Sequence, residues 1–496
     1  MHYSYNIYNI PHKNLFKMRT YLSIIIIFFL SFLTVTSCQK NPATGQNEFS
    51  LMSEEEEDSI GRNEHKKIIK QFGGEYNDER LKNYIESIGN FLVSTSELSN
   101  KRFIFTILDT PIINAFALPG GYVYLTRGLI YLCQNEAQLA GVISHEIGHV
   151  TARHSARRYT KSIGTDIVLR VLGVISKNNY LNNLLGQSAQ LYLLSYSRSQ
   201  EYQADQLAVR YMVRAGFDPK EMASFLRSME KHADLQKKIF KIDKKVSELL
   251  LTHPNSSKRV LEVVNNYQGK IPLNPIVGED IFLKKIDGLL FGNKPNEGFF
   301  LGNSFIHKPL KIKFDFDKNF YFINNPKALI GTTTKKTKVI FDLDETVEKN
   351  DINYLSKWTS ISKKKIKEYK SFTSNGFNIT TGSFKKNKQL FSFATLKQNQ
   401  NITYRFLMVS NESEIKDFKD KFQNIFNSFQ ILTDSEISSL EPPRIKIISV
   451  QSDSDLKNIT SNKLNLQSMY SQEIFSTLNN LDNKIENLNR KIKTIY

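Results

Sequence analysis

The pentapeptide His145-Glu146-Ile147-Gly148-His149 decides what kind of fold this sequence can form. It lies in an apolar frame of helical period, with Leu139, Val142, Ile143 and Ile147 on one stripe and Asn135 placed to cap the helix start. Residues four apart on a helix are separated by only ~40° in projection, so both imidazoles face one side. Two neutral imidazoles bind Zn²⁺ at ~2.0–2.1 Å, and the glutamate between them reaches a water whose pKa the ion lowers to about 7. The same five residues also arise by chance, so their partners matter.

The first partner is Arg198-Ser199-Gln200-Glu201-Tyr202-Gln203-Ala204-Asp205. Glu201 and Asp205 are again four apart on a helical pattern. Glu201 can complete a His₂Glu set that leaves one position open, and Asp205 can then fix a ligating imidazole through its far nitrogen. Standing alone, the segment reads better as an exposed acidic face paired with Arg198; beside a histidine pair, the metal-site reading prevails. His154 falls ~140° around a continuous helix from His149, which favours packing, or support of a ligand, over ligation. His253 precedes Pro254, which fixes an extended backbone before it. That loop either caps structure or dips toward the metal in a regulatory or substrate-side role. Asn114 to Leu118, Pro119-Gly120-Gly121 and Tyr122 to Leu125 read as strand, turn, strand. This is either an internal hairpin or a rim strand, Asn114, Ala115 and Phe116, that holds an extended substrate, with Asn114 serving its backbone or a developing oxyanion.

The chain has 496 residues, which exceeds one ordinary core and suggests two to four domains at ~100–200 residues each. A hydrophobic fraction of 40% and a charged fraction of 23% exclude wholesale disorder and a polytopic membrane protein. The net charge of +18 is spread along the chain in Lys clusters such as Lys363 to Lys365, without a nucleic-acid-binding motif. Those clusters read as solvated strand edges and loops, so no nucleic-acid partner is expected. Residues 1–37 read as an export signal: Lys13, Lys17 and Arg19 are followed by apolar Leu22 to Leu33, shorter than the ~20 residues a membrane span needs. Val35-Thr36-Ser37-Cys38 has the form of a lipobox, with Cys38 lipidated, and Met18 is a second possible start. An anchor helix with an incidental cysteine is the other reading. With Cys38 acylated, only Cys133 remains, and no disulfide can form.

The expected organisation is a signal over 1–37, a tether over 38–60, a mostly helical unit with a small sheet over 61–270, a β-rich unit over 273–435, and a strand-plus-helix segment over 444–496 after Pro442-Pro443. The fold class is therefore α+β. No solenoid period is present.

Taken together, Asn114 to Gly121, His145 to His154, Arg198 to Asp205, and Thr252-His253-Pro254 with Arg259 resemble the zinc endopeptidase family that contains HtpX, the CAAX prenyl proteases and the periplasmic lipid-linked members typified by BepA. The resemblance covers about residues 40–268. It implies a gluzincin fold with one Zn²⁺ on His145, His149 and Glu201, Glu146 as general base, and Asp205 as a support or proton donor. It also implies a latent state in which His253 caps the zinc. Tetratricopeptide repeats, found in BepA, have no counterpart here. Residues 444–496 weakly resemble a LysM-like module, although Ser452-Asp453-Ser454-Asp455 stands where a Gly-Asp turn is usual. Gln39 after the cysteine suggests delivery to the outer membrane, by analogy with lipoprotein sorting in Gram-negative bacteria. The implied protein is a periplasmic, lipid-anchored zinc metalloendopeptidase that cleaves misfolded or stalled envelope proteins, with peptidoglycan or outer-membrane assembly machinery as further partners. The rivals are a non-catalytic holdase or assembly factor, and a cell-wall-binding lipoprotein.

Overall fold

The computed structural model describes residues 38–50, 52–158, 160, 196–240, 253, 257–325, 327–333, 337–345, 350–398, 402–411, 415–462, 470–481 and 490–496. The signal expected over 1–37 and residues 161–195 of the mostly helical unit expected over 61–270 lie outside them.

Over the segment expected to be a tether, β1 (Cys38–Lys40) and β2 (Asn47–Phe49) form an antiparallel hairpin. Helix α1 (Glu54–Gln71) follows at once: Ser53 and Glu56 make a capping box, and four glutamates in the first turn complement the helix dipole. Helix α2 (Glu79–Ser94), capped by Asp78, buries Leu81, Tyr84, Ile85, Ile88 and Leu92. The small sheet has the order β3 (Ile104–Leu108), β5 (Tyr122–Thr126), β4 (Ala115–Leu118), with β5 parallel to β3 and antiparallel to β4. Gly120 and Gly121 make the β4–β5 turn at φ +83° and +86°, a conformation that costs glycine little. Strand β4 is thereby an edge, yet its residues are all buried.

After the short α3 (Arg127–Leu132), Asn135 caps α4 (Glu136–Thr151), as its sequence position suggests. Helix α5 (Arg198–Arg214) starts at a capping box of Ser197 and Gln200. Helices α6 (Lys220–Phe240), α7 (Ser257–Asn265) and α8 (Glu279–Ile286) complete this unit. Its core joins α2, the sheet and these helices through residues such as Ile88, Val123, Ile143, Tyr211, Phe225 and Phe282.

The β-rich character expected after Pro272 is present. A seven-stranded antiparallel sheet runs in the order Lys367–Ser374, Phe377–Lys386, Gln389–Lys397, Thr403–Asn411, Lys338–Asp344, Ala328–Thr332, Tyr321–Asn325. A four-stranded sheet and the helix Ile415–Asn427 pack with it over a phenylalanine-rich core. Phe314 lies edge-on to Phe406 at 5.2 Å and within 4.7 Å of Phe341, the tilted geometry that ring quadrupoles favour.

The C-terminal segment is β-α-α-β: Ile445–Val450, Asp453–Asn462, Ser471–Leu478 and Arg490–Ile495, with the two strands antiparallel. Ile445, Leu478 and Ile495 belong to the same core as α2 and α4. Lys493, buried, donates to the Tyr131 and Cys133 carbonyls at the end of α3, at 2.9 and 2.7 Å. A polar cavity of about 210 Å³ lies beside this contact, and its Asn135 and Gln138 side chains are already bonded to Glu221. Cys133 is free and buried, and burial pushes its thiol up to about 12. Among the described residues, no helix is long and apolar enough to cross a membrane.

Candidate metal centre

His145 and His149 sit one turn apart on α4, and Glu201 occupies the first turn of α5. The two helices approach closely because residue 148 is glycine: a Cβ there would lie 3.1 Å from the Ala204 carbonyl oxygen and 3.2 Å from Leu207 Cβ. His145 Nε2 and His149 Nε2 are 3.0 Å apart. Glu201 Oε1 is 3.4 Å from His149 Nε2, and its Oε2 is 3.6 Å from His145 Nε2. His253 enters the same point, with Nδ1 2.9 Å from Glu201 Oε1 and 3.3 Å from His145 Nε2. All four side chains are buried, and their ligand atoms lie within 4.8 Å of one another.

Asp205 Oδ1 stands 2.9 Å from His145 Nδ1, where its charge favours a proton on that nitrogen, so that the neutral ring, the form a metal takes, presents a bare Nε2 inward. Imidazole nitrogens and a carboxylate that converge in a buried space repel unless a cation or protons join them. A nitrogen-and-oxygen donor set without sulfur suits a zinc-type divalent ion. Arg259 backs both acids, with Nε 2.5 Å from Asp205 Oδ2 and Nη2 3.3 Å from Glu201 Oε2. The Tyr196 ring stacks on His149 at 3.8 Å between centroids, and the Arg158 guanidinium carbon lies 3.8 Å from the centroid of the same tyrosine ring.

Glu146 is buried beside this cluster. Its Oε1 is 3.6 Å from His253 Nε2, and its Oε2 has no hydrogen-bond partner among the described residues. The Ala117 backbone of β4 donates to this carboxylate, which ties the edge strand to Glu146. Ala115 and Phe116 pair with Leu125 and Tyr124 of β5. Asn114, just before them, is buried, with Oδ1 unpartnered among the described residues.

The electrostatics follow from this packing. Burial opposes charge on His145, but the Asp205 contact and the charges of Glu201, Asp205 and Glu146 prevail and raise it to about 9. Burial instead pushes His149 well below its ordinary value. Burial would raise Glu201, yet His253, His149 and His145 hold it well below the usual carboxylate range. Burial raises Glu146, against the opposing charges of His253 and His145. A carboxylate shifted toward neutrality beside a hole of ligand atoms is the arrangement a general base needs.

The structure thus gathers His145, Glu146, His149, Glu201, Asp205 and His253, and links β4 to them. Cys38 begins β1, far along the chain from these groups. His154 does not lie around the helix from His149, as a continuous helix would require. Helix α4 ends at Thr151, Arg153 takes the left-handed φ of +52°, and His154 Nδ1 comes to 2.8 Å from His149 Nδ1. Sequence reasoning missed Tyr196 and Gln203 around the histidines. Neither has a spacing signal, because both depend on that reversal of the chain or on the start of α5.

A profile of peptidase family M48 matches residues 79–266. The chain is 32% identical over 220 residues to the beta-barrel assembly-enhancing protease of Escherichia coli (strain K12), a match covering 42% of this chain and 43% of that one. It is 33% identical over 218 residues to the Yersinia pestis protein of the same name, with the same shares. It is 25% identical over 228 residues to the mitochondrial metalloendopeptidase OMA1 of Schizosaccharomyces pombe, covering 45% of this chain and 64% of the relative. The chain spans less than half the length of the first two. Motif, geometry and likeness coincide on one stretch, and the chain carries a peptidase family M48 domain over residues 79–266.

Proposed function

We propose that this protein is a zinc metalloendopeptidase whose catalytic unit spans residues 61–270. The buried convergence of His145, His149 and Glu201 beside Glu146 carries the proposal. His145, His149 and Glu201 would hold one zinc ion. When bound, zinc supplies Lewis acidity toward a scissile carbonyl and acidity to a water. Glu146 takes the proton of that water and passes it to the leaving amine. Asp205, braced by Arg259, keeps His145 in the tautomer that presents Nε2. Edge strand β4, with Asn114, Ala115 and Phe116, lines an extended polypeptide by β-augmentation, and its bond to Glu146 sets base and substrate in register.

His253 spans from Glu201 to Glu146, where water and the scissile bond must enter, so the arrangement is latent and opens when the His253 side chain withdraws. The proposed setting is the periplasm of a Gram-negative bacterium, with residues 1–37 as signal, Cys38 as lipid anchor in the outer membrane, and misfolded or stalled envelope proteins as substrates. The likeness to beta-barrel assembly-enhancing proteases supports this setting. Residues 273–435 form an accessory unit for substrate or partner. The β-α-α-β order of residues 445–495 supports a LysM-like cell-wall contact. The test is cleavage of unfolded casein by wild type and His253→Ala, each zinc-loaded, chelated and reloaded. Cleavage that needs zinc and rises in His253→Ala is expected. No cleavage by either form, or cleavage indifferent to chelation, overturns the proposal.

A further inference from the structure

His149 must offer Nε2 to a metal, yet among the described residues no carboxylate meets its other nitrogen. Its Nδ1 faces His154 Nδ1 at 2.8 Å, and a contact between two identical nitrogens does not say which carries the proton. The next contact outward passes the question on: His154 Nε2 lies 3.0 Å from Gln203 Oε1. Arg157 answers it. Its Nη1 is 3.3 Å from the same Oε1, and a guanidinium can only donate. Were Gln203 turned to present its amide nitrogen there, two donors would oppose each other.

The polarity then runs one way. Gln203 Oε1 accepts from Arg157 and from His154 Nε2, His154 Nδ1 accepts from His149 Nδ1, and His149 Nε2 is left bare. Arg157 is itself pinned by both Glu48 carboxylate oxygens, with Nε at 2.5 Å from Oε2. Glu48 belongs to the β1–β2 hairpin, in which Asn41 donates to Glu48 Oε2 at 3.1 Å and, across to the end of α4, to the Ala152 carbonyl at 3.3 Å.

We propose that Glu48, Arg157, Gln203 and His154 form a polarity relay that holds His149 in its Nδ1–H tautomer, so that the hairpin following Cys38 presets the metal centre from about three side chains away. These are positioning residues. The relay replaces the single carboxylate that serves His145. The inference deepens the zinc proposal through the metal's affinity, while the tautomer itself can be read without metal.

The experiment uses the full chain labelled with ¹⁵N in the histidine rings, together with Gln203→Leu and Gln203→Glu. Long-range ¹H–¹⁵N spectra of the metal-free protein should show His149 protonated on Nδ1 in wild type and in Gln203→Glu, which keeps an acceptor, and a mixture in Gln203→Leu. Zinc affinity, measured against a chelator, should fall ~10–100-fold in Gln203→Leu and be restored in Gln203→Glu. A wild-type His149 protonated on Nε2, or a Gln203→Leu protein with unchanged tautomer and unchanged affinity, would overturn the relay. A wild type with the expected tautomer that binds no zinc would refute the zinc proposal and leave the relay standing.

Discussion

His253 and Glu146 show how much a single side chain decides in this centre. The imidazole sits 2.9 Å from Glu201 and 3.6 Å from the base, so its removal frees the space that water must occupy. Asp205 acts in the opposite sense. Asp205→Asn should weaken zinc binding ~10–100-fold, because an amide that turns its NH₂ toward His145 Nδ1 favours the wrong tautomer. Chelator competition measures this, and an unchanged affinity would exclude Asp205 from the support of His145. The ligand candidates and Glu146 were legible because helical spacing of four is a local property of sequence. His154 was expected to pack or to support a ligand, but its contact with His149 was not legible because the left-handed turn at Arg153 carries no glycine to announce it. Gln203 was invisible for the same reason, since its partners arrive only after that turn.

Helix α4 must lie against α5 for ligands from both to meet, and Gly148 sets the distance between them. Gly148→Val would overpack the contact with Ala204 and Leu207, costing about 1–3 kcal/mol and pushing Glu201 away from the histidines. Urea denaturation and zinc content together should show both losses, and full zinc occupancy would argue against this spacing role. Lys493 governs the end of α3 in another way. Burial holds it down to about 7 from an ordinary 10.5. Between those values the unfolded chain keeps a proton that the folded chain has released, so stability rises as pH rises from about 7, and the cost is complete below it. Lys493→Met lifts that cost but also loses the two carbonyl bonds. The melting temperature of wild type relative to this variant should therefore climb between pH 6 and pH 9, and a pH-independent difference would contradict the buried charge. The β4–β5 pair and helices α4 and α5 followed from hydrophobic period and spacing, with a cap at Asn135, whereas the β1–β2 hairpin over the expected tether did not. The order of the seven-stranded sheet did not follow from the sequence either, because pairing Lys338–Asp344 with Thr403–Asn411 depends on packing across the 58 residues of chain between them.

Across the whole molecule, two cores are built on different principles, one of helices around a three-stranded sheet and one of phenylalanines between sheets. The C-terminal segment looks separate in sequence, after Pro442-Pro443, yet Ile445, Leu478 and Ile495 enter the first core. Each such side chain is worth roughly 1.5–3 kcal/mol of burial, and three together rival the ~5–15 kcal/mol total of an ordinary domain. A chain ending at Leu440 should therefore lose its cooperative unfolding transition in the M48 domain, as followed by circular dichroism, whereas an unchanged transition would make the segment an independent appendage. The ensemble serves the proposed arrangement, in which two histidines and an acid would hold a metal while Glu146 would move protons. Glu146→Gln at matched zinc occupancy tests that arrangement most directly: it should bind zinc as wild type does and cleave unfolded casein ~10²–10⁴-fold more slowly. Wild-type cleavage by the zinc-loaded Glu146→Gln protein would contradict it.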